Sequence, residues 1–270
     1  MQFFVLAYKA GCLWFRNEAD QYAAALAYFV PFALTPLLLI SMTWVGLMVG
    51  RERLTVLLTE WGTAIDPELP AIMTNALVQL ESRSDEYMVP ILAIAFFSLM
   101  IIVAINSLTS GIHKLWSIES TGIRALFIRY SRALCALIVI QAYFVCLIII
   151  SGAVTWLEDI SAYYSVGLLQ QLLFLGVTIV SITILFRVLP MQALPLRSCF
   201  YGALVAGVLF LGLRAFVTAH VVTAPAVTLY GAASIVIILL IWFYAVGSII
   251  LYGAAFAKVH YDAVQKKLTK

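Results

Sequence analysis

Charge is scarce in this 270-residue chain: Asp, Glu, Lys and Arg together make up 11% of it, against about 25% in soluble domains. With 64% hydrophobic residues and a mean hydropathy of +1.06, that shortage excludes a water-soluble protein built on one core. Disorder is excluded as well, because so apolar a chain with a formal net charge of only +3 has nothing to keep it expanded in water. Cysteine is equally sparse. Cys12, Cys135, Cys146 and Cys199 stand alone, giving neither a disulfide framework nor a CxxC metal pair, and they read as small apolar fillers. Histidine is confined to His113, His220 and His260 in separate segments. There is no HExxH, no glycine-rich phosphate loop ending in Gly-Lys-Ser/Thr, no GxSxG elbow and no His/Cys cluster at zinc spacing. No catalytic residue, metal ligand or cofactor is therefore expected, and the chain does not read as an enzyme.

What the chain does contain is long apolar runs. Stretches free of charge and histidine cover Gln21–Gly50, Tyr87–Ile112, Ala133–Leu157, Ile160–Phe186, Ser198–Leu213 and Val221–Ala257. Crossing a hydrocarbon core of about 30 Å takes roughly 20 apolar residues in a helix. Five stretches meet that length outright, and Ser198–Leu213 meets it by taking in Arg214. The expected fold is all-α: a polytopic membrane protein forming one integral membrane domain over 1–270. Its six transmembrane helices are expected at about 23–48, 89–111, 133–155, 166–187, 199–219 and 233–256.

Lys and Arg enrichment marks cytoplasmic loops. With the N-terminus inside, twelve basic residues fall on the cytoplasmic side (Lys9, Arg16 and Lys114 among them) and four outside (Arg51, Arg53, Arg83 and Arg214). Both termini are thus expected in the cytoplasm, with a tail over 258–270. A cleaved signal peptide is not expected, since Arg16, Glu18 and Asp20 precede a charge-free run about twice as long as a signal's core of roughly 7 to 15 residues. Phe3, Phe4, Val5, Leu6, Leu13, Trp14 and Phe15, with Lys9 and Arg16 interposed, suit a helix lying in the inner interface. Outside, Leu54, Leu57, Leu58 and Trp61 recur at helical spacing, Pro67 and Pro70 interrupt, and Ile72, Ala76 and Leu80 resume. That pattern predicts two short amphipathic helices capping the outer face over 51–86. Cytoplasmic acids number four (Glu18, Asp20, Glu119 and Asp262), too scattered to hold two metal ions for phosphodiester cleavage, so no nucleic-acid partner is expected. The cytoplasmic basic residues suit anionic lipid headgroups.

Polar groups inside spans are the better clue to function, because the bilayer penalises each of them. Asn106 lies deep in the second span and Gln141 in the third; Gln170, Gln171, Thr178, Ser181 and Thr183 follow in the fourth. Interhelical hydrogen bonding explains most such groups at roughly 0.6 to 2 kcal/mol each. Arg214 carries more weight: at a helix centre it would cost about 2.5 to 3.5 kcal/mol, and nearer the outer third it can snorkel or face a wet cavity. After it come His220 and a charge-free connection with Pro225, Tyr230 and Gly231, longer than spanning requires. A re-entrant hairpin over 221–232 lining a cavity is one reading; a snorkelling arginine on a short outer loop is the other. Arg214, Asn106, His220, Pro225, Tyr230 and Gln141 are the candidate substrate path. Ala24, Ala27, Gly202 and Gly207 are read as close-packing positions and Pro36 as a kink. No internal repeat rises above chance.

Ala24-Ala25-Leu26-Ala27-Tyr28-Phe29 followed by Pro36-Leu37-Leu38, then Phe186-Arg187 with Leu189-Pro190, Gly202-Ala203, Tyr230-Gly231, Trp242, Tyr244 and Gly253-Ala254, form an ordered set. In order and spacing, from about Phe15 to Lys258, this set resembles the YihY/virulence factor BrkB family. The resemblance implies a bacterial inner-membrane protein of about six spans connected with envelope biology. Some members have carried a ribonuclease label, which nothing in this sequence supports. Many members resemble Gly-Ala-Glu near the end of the last helix, whereas Ala255 fills the acid's place here. The expectation is a transporter or flippase-like protein for an amphipathic anionic envelope lipid or precursor. The alternative is a non-transporting scaffold for envelope-assembly partners, and a membrane nuclease ranks a distant third. Expected partners are membrane lipids, with a second copy of the chain or envelope-assembly proteins as further candidates.

Overall fold

Away from water a long apolar run can satisfy its backbone N–H and C=O groups within itself only as a helix. The computed structural model describes residues 2–33, 88–118, 123–160, 166–220 and 232–268, and among them every regular element is helical. In chain order these are α1 (Gln2–Arg16), α2 (19–33), α3 (Met88–Trp116), α4 (Ile123–Ile160), α5 (Val166–Val188), α6 (Leu196–His220) and α7 (Ala232–Leu268). Five of them contain segments long and apolar enough to cross a membrane: Leu99–Trp116, Tyr130–Ile150, Gln170–Val188, Leu196–Val217 and Ile237–Lys266. These overlap the second to sixth spans expected from the sequence, with ends displaced by up to ten residues. The first, about 23–48, lies only partly within the described residues; the cap over 51–86, Pro36, Pro225 and Tyr230 lie outside them.

Two helices outrun their spans. α4 begins at Ile123 and so takes in Arg124, Arg129 and Arg132, and α7 continues to Leu268, so most of the expected tail over 258–270 is helix. Charge ends an apolar run without ending a helix, because Lys, Gln, Ala and Leu are all good helix formers. α1 packs on α7: Tyr252 donates its hydroxyl to the Ala7 carbonyl at 2.9 Å, and the Phe3 and Phe256 rings lie 5.5 Å apart. Ala10 is fully buried, while Phe4, Tyr8 and Phe15 face outward, an arrangement suited to the membrane interface. Glu18, at φ 52°, turns the chain from α1 into α2 and accepts a hydrogen bond from Lys114 of α3 at 2.7 Å. The Lys114 ammonium holds the Glu18 carboxyl below its ordinary range.

α3 ends in a Schellman motif. Ile118 N donates to His113 O at 2.9 Å and Ser117 N to Lys114 O at 3.3 Å, with Ser117 at φ 55°. Left-handed backbone costs a residue with a Cβ roughly 1–2 kcal/mol and glycine almost nothing. Ser117→Gly is therefore expected to stabilise the protein by about 1 kcal/mol, read as a higher unfolding midpoint in detergent.

Among the described residues the most extensive packing joins α6 to α7. A Cβ built on Gly202 would strike the Gly253 carbonyl and come within 2.7 Å of Ala257 Cβ. One built on Gly253 would lie 2.8 Å from both Ala206 Cβ and the Gly202 carbonyl. Gly202 and Ala206 thus face Gly253 and Ala257, a small-xxx-small pattern on both helices that brings the two backbones together. Ala203, Ala254 and Ala255 are fully buried around this contact. Ala255, which fills the place the resemblance gives to an acid, is therefore inside the bundle. α2 joins the same core: a Cβ on Gly247 would meet Leu26 Cδ1 at 3.3 Å, and one on Gly111 would meet Leu251 Cδ2 at 2.8 Å and Tyr22 Cβ at 3.2 Å.

Candidate functional site

The turn between α5 and α6 lies at the end of the bundle that carries Lys114, Arg132, Arg187, Arg197 and Lys258, the basic end. Leu189 and Pro190 are buried in it, which leaves its polar backbone groups in need of partners away from water. Arg132 of α4 donates to the Pro190 carbonyl, and Arg187 Nη1 reaches the Leu194 carbonyl at 3.5 Å. Met191 N donates to His113 Nε2 at 3.1 Å. His113 is 6% exposed, and accepting at Nε2 fixes it as a neutral imidazole. Behind the turn, Trp116 Nε1 donates to the Ala254 carbonyl at 2.9 Å, and its ring lies 6.4 Å from that of the buried Phe186. Phe186 and Pro190 thus tie α5 and the turn to α3 and α4, Arg187 holds the turn to itself, and Trp116 ties α3 to α7. His113→Ala would leave the Met191 N–H without its acceptor and is expected to cost about 1–3 kcal/mol. Thermal unfolding of the purified variant in detergent measures that loss.

Arg214 lies on α6, 18 residues beyond Leu196, or about 27 Å up the helix from the basic end. Its guanidinium carbon sits 5.5 Å from the centroid of the Phe174 ring on α5. One turn further along α5, Thr178 donates its hydroxyl proton to the Phe174 carbonyl at 2.7 Å. The Tyr143 hydroxyl of α4, 3.3 Å from Thr178 Oγ1, is therefore the donor of that pair. The result is a polar seam through α4, α5 and α6 with an exposed arginine at its upper end. Between Arg214 and the basic end the seam closes at Gly207, where a Cβ would come within 2.7 Å of Ile179 Cγ1.

The other expected path residues are distributed as follows. Asn106 on α3 and Gln141 on α4 are half-buried and near mid-depth, about 15 Å from Trp116 and 14 Å from Arg132 along their helices. α3 packs chiefly on α7 and less on α4; α6 is not among its main neighbours. Arg214 is thus grouped by the structure with Phe174, Thr178 and Tyr143, while Asn106 belongs to another helix pair. His220 ends α6. Among the packing positions, Ala27 is buried, Ala24 is turned outward, and Gly202 and Gly207 face different partners, α7 and α5. Sequence reasoning did not single out Phe174, Tyr143, His113 or Arg132 as site residues. Tyr143 and Thr178 are 35 positions apart and His113 and Met191 are 78 apart, so no local pattern links them. Among the described residues no three His, Cys, Asp or Glu side chains group as metal ligands.

Comparison with known proteins adds the relationship. The Virulence factor BrkB family matches residues 14–270. A UPF0761 membrane protein of Alcanivorax borkumensis is 25% identical over 246 residues, 87% of this chain and 55% of the relative. Another, from Alteromonas mediterranea, is 32% identical over 124 residues, 44% of this chain and 42% of the relative. A third, from Aggregatibacter aphrophilus, is 25% identical over 260 residues, 94% of this chain and 91% of the relative. The chain spans about half the length of the first two and nearly all of the third. No solved structure matches it. With five span-length apolar helices among the described residues and a family match across almost its whole length, the chain belongs to the virulence factor BrkB family of membrane proteins.

Proposed function

We propose that this protein is a bacterial inner-membrane transporter, flippase-like and non-enzymatic, for an amphipathic anionic envelope lipid or its precursor. In this reading the basic end and both termini lie in the cytoplasm, where Lys and Arg are enriched. The observation that carries the proposal is Arg214, an exposed guanidinium within an apolar helix, set over the Phe174 ring beside the Tyr143–Thr178 pair. An aromatic face attracts a cation, and in this reading a phosphate headgroup meets the same guanidinium. At about 27 Å from the basic end Arg214 would meet a headgroup near the outer surface of a core about 30 Å thick. Gln141, near mid-depth on the same helix as Tyr143, supplies a further polar group. The chain carries no ATP-site motif, so movement would be passive or driven by an ion gradient or a partner.

The test is purified protein in liposomes carrying a fluorescent anionic lipid, with dithionite added outside. Protein-dependent loss of the protected inner pool supports the proposal. An unchanged inner pool, with and without a proton gradient, would turn attention to a scaffold role and to crosslinking of the 51–86 segment.

A further inference from the structure

Three arginines surround the α5–α6 turn, and they are not equivalent. Arg132 and Arg187 are engaged by the Pro190 and Leu194 carbonyls. Arg197, in the first turn of α6, is exposed and makes no hydrogen bond or ion pair with the described residues. Beside it, below the point where Gly207 closes on Ile179, α5 and α6 leave an open groove of about 530 Å³. Pockets of roughly 300–1,000 Å³ take small-molecule ligands. The walls are apolar: Val180 and Ile184 from α5, Leu196 and Phe200 from α6, with Arg197 and Tyr201 as the main polar side chains. Val180 is 56% exposed and Leu196 59%. Val180 lies eight residues from the end of α5, so the groove runs about 12 Å inward from the basic end.

We propose that this groove binds one membrane phospholipid with an anionic headgroup, its phosphate on Arg197 and an acyl chain along Val180, Ile184 and Phe200. A groove open to the side of a membrane-spanning pair of helices is covered by lipid, and its one charged group selects which lipid. Among the described residues no carboxylate lines it, so the ammonium of a zwitterionic headgroup finds no opposite charge there, while an anionic headgroup keeps the whole of its attraction to the guanidinium. Tyr201 stands at the same end, its ring 4.7 Å from that of His260, whose Nδ1 is 3.1 Å from Ser198 Oγ. Tyr201 is thereby held at the polar end, where its hydroxyl can reach a phosphate or glycerol oxygen. This site is separate from Arg214, which lies at the far end of the seam, and binding here requires no transport.

Native mass spectrometry of the full chain, released from detergent and titrated with phosphatidylglycerol, phosphatidylcholine or inorganic phosphate, tests it. The wild type is expected to bind one phosphatidylglycerol about fivefold more tightly than phosphatidylcholine, the equivalent of ~1 kcal/mol for a basic residue facing an anionic lipid. Arg197→Gln should abolish the preference, and Ile184→Trp, which fills the groove and keeps the charge, should weaken binding of both lipids. Both positions face outward, so the fold has no reason to change. Equal affinity of the wild type for the two lipids overturns the proposal, as does phosphatidylglycerol binding that neither variant alters. Inorganic phosphate that competes fully while Ile184→Trp binds normally also overturns it, because the site would then take a bare anion.

Discussion

Replacing Gly202 with valine is expected to destabilise the fold strongly and to lower the yield of folded protein. The new Cβ would be driven into the Gly253 carbonyl and to within 2.7 Å of Ala257 Cβ, and backbone cannot move aside as a flexible side chain can. Overpacking a close-packed interior costs about 1–3 kcal/mol even where side chains give way, so a clash with backbone belongs at or above the top of that range. Against a total stability of roughly 5–15 kcal/mol, that loss removes a large part of the margin that holds α6 on α7, the most extensively packed pair among the described residues. The readouts are the monodisperse fraction after detergent extraction and the unfolding midpoint. Gly212→Ala is the control, because a Cβ there meets nothing within 4 Å, and it should behave like the wild type or slightly better. Gly202→Val that purifies and melts normally would show that the two backbones do not meet.

Arg214→Ala is expected to fold and to lose at least tenfold in lipid movement. A hydrogen bond to a charged group contributes about 1.5–3 kcal/mol, which corresponds to a factor of roughly 10 to 150. Arg214→Lys keeps the charge, loses the planar two-pronged donor that fits phosphate, and should fall between the two. Phe174→Leu removes the ring beneath the guanidinium and should cost no more than about 0.5–1 kcal/mol, a few-fold at most. The order Arg > Lys > Ala at position 214, at unchanged thermal stability, is what distinguishes a substrate contact from a packing role.

The described helices were legible in the sequence because a long apolar run satisfies its backbone as a helix: the spans expected at 166–187 and 199–219 lie within Val166–Val188 and Leu196–His220. Helix ends were less so. The arginines before position 133 and the lysines after 256 stop a hydrophobic run, and helix propensity carries α4 and α7 past them. Small residues were recognisable as packing sites by type, but not by partner. That Gly202 meets Gly253 and Gly207 meets Ile179 follows from how three helices cross, which no local pattern encodes. Ala24 and Ala27 look alike in sequence and differ in the fold because they sit about 60° apart around the helix, on either side of the edge of its buried face. Arg214 was visible because a charge in an apolar run stands out. Its neighbours Phe174, Thr178 and Tyr143 are ordinary span residues until α4, α5 and α6 bring them together.

The most direct measurement compares wild-type protein and Arg214→Ala in the same liposome preparation, at matched protein content, with a fluorescent anionic lipid and external dithionite. A protected inner pool that the wild type depletes and the variant leaves largely intact is the predicted result. Equal depletion by the two proteins would remove Arg214 from the path, and no depletion by the wild type, with or without a proton gradient, would contradict lipid movement itself.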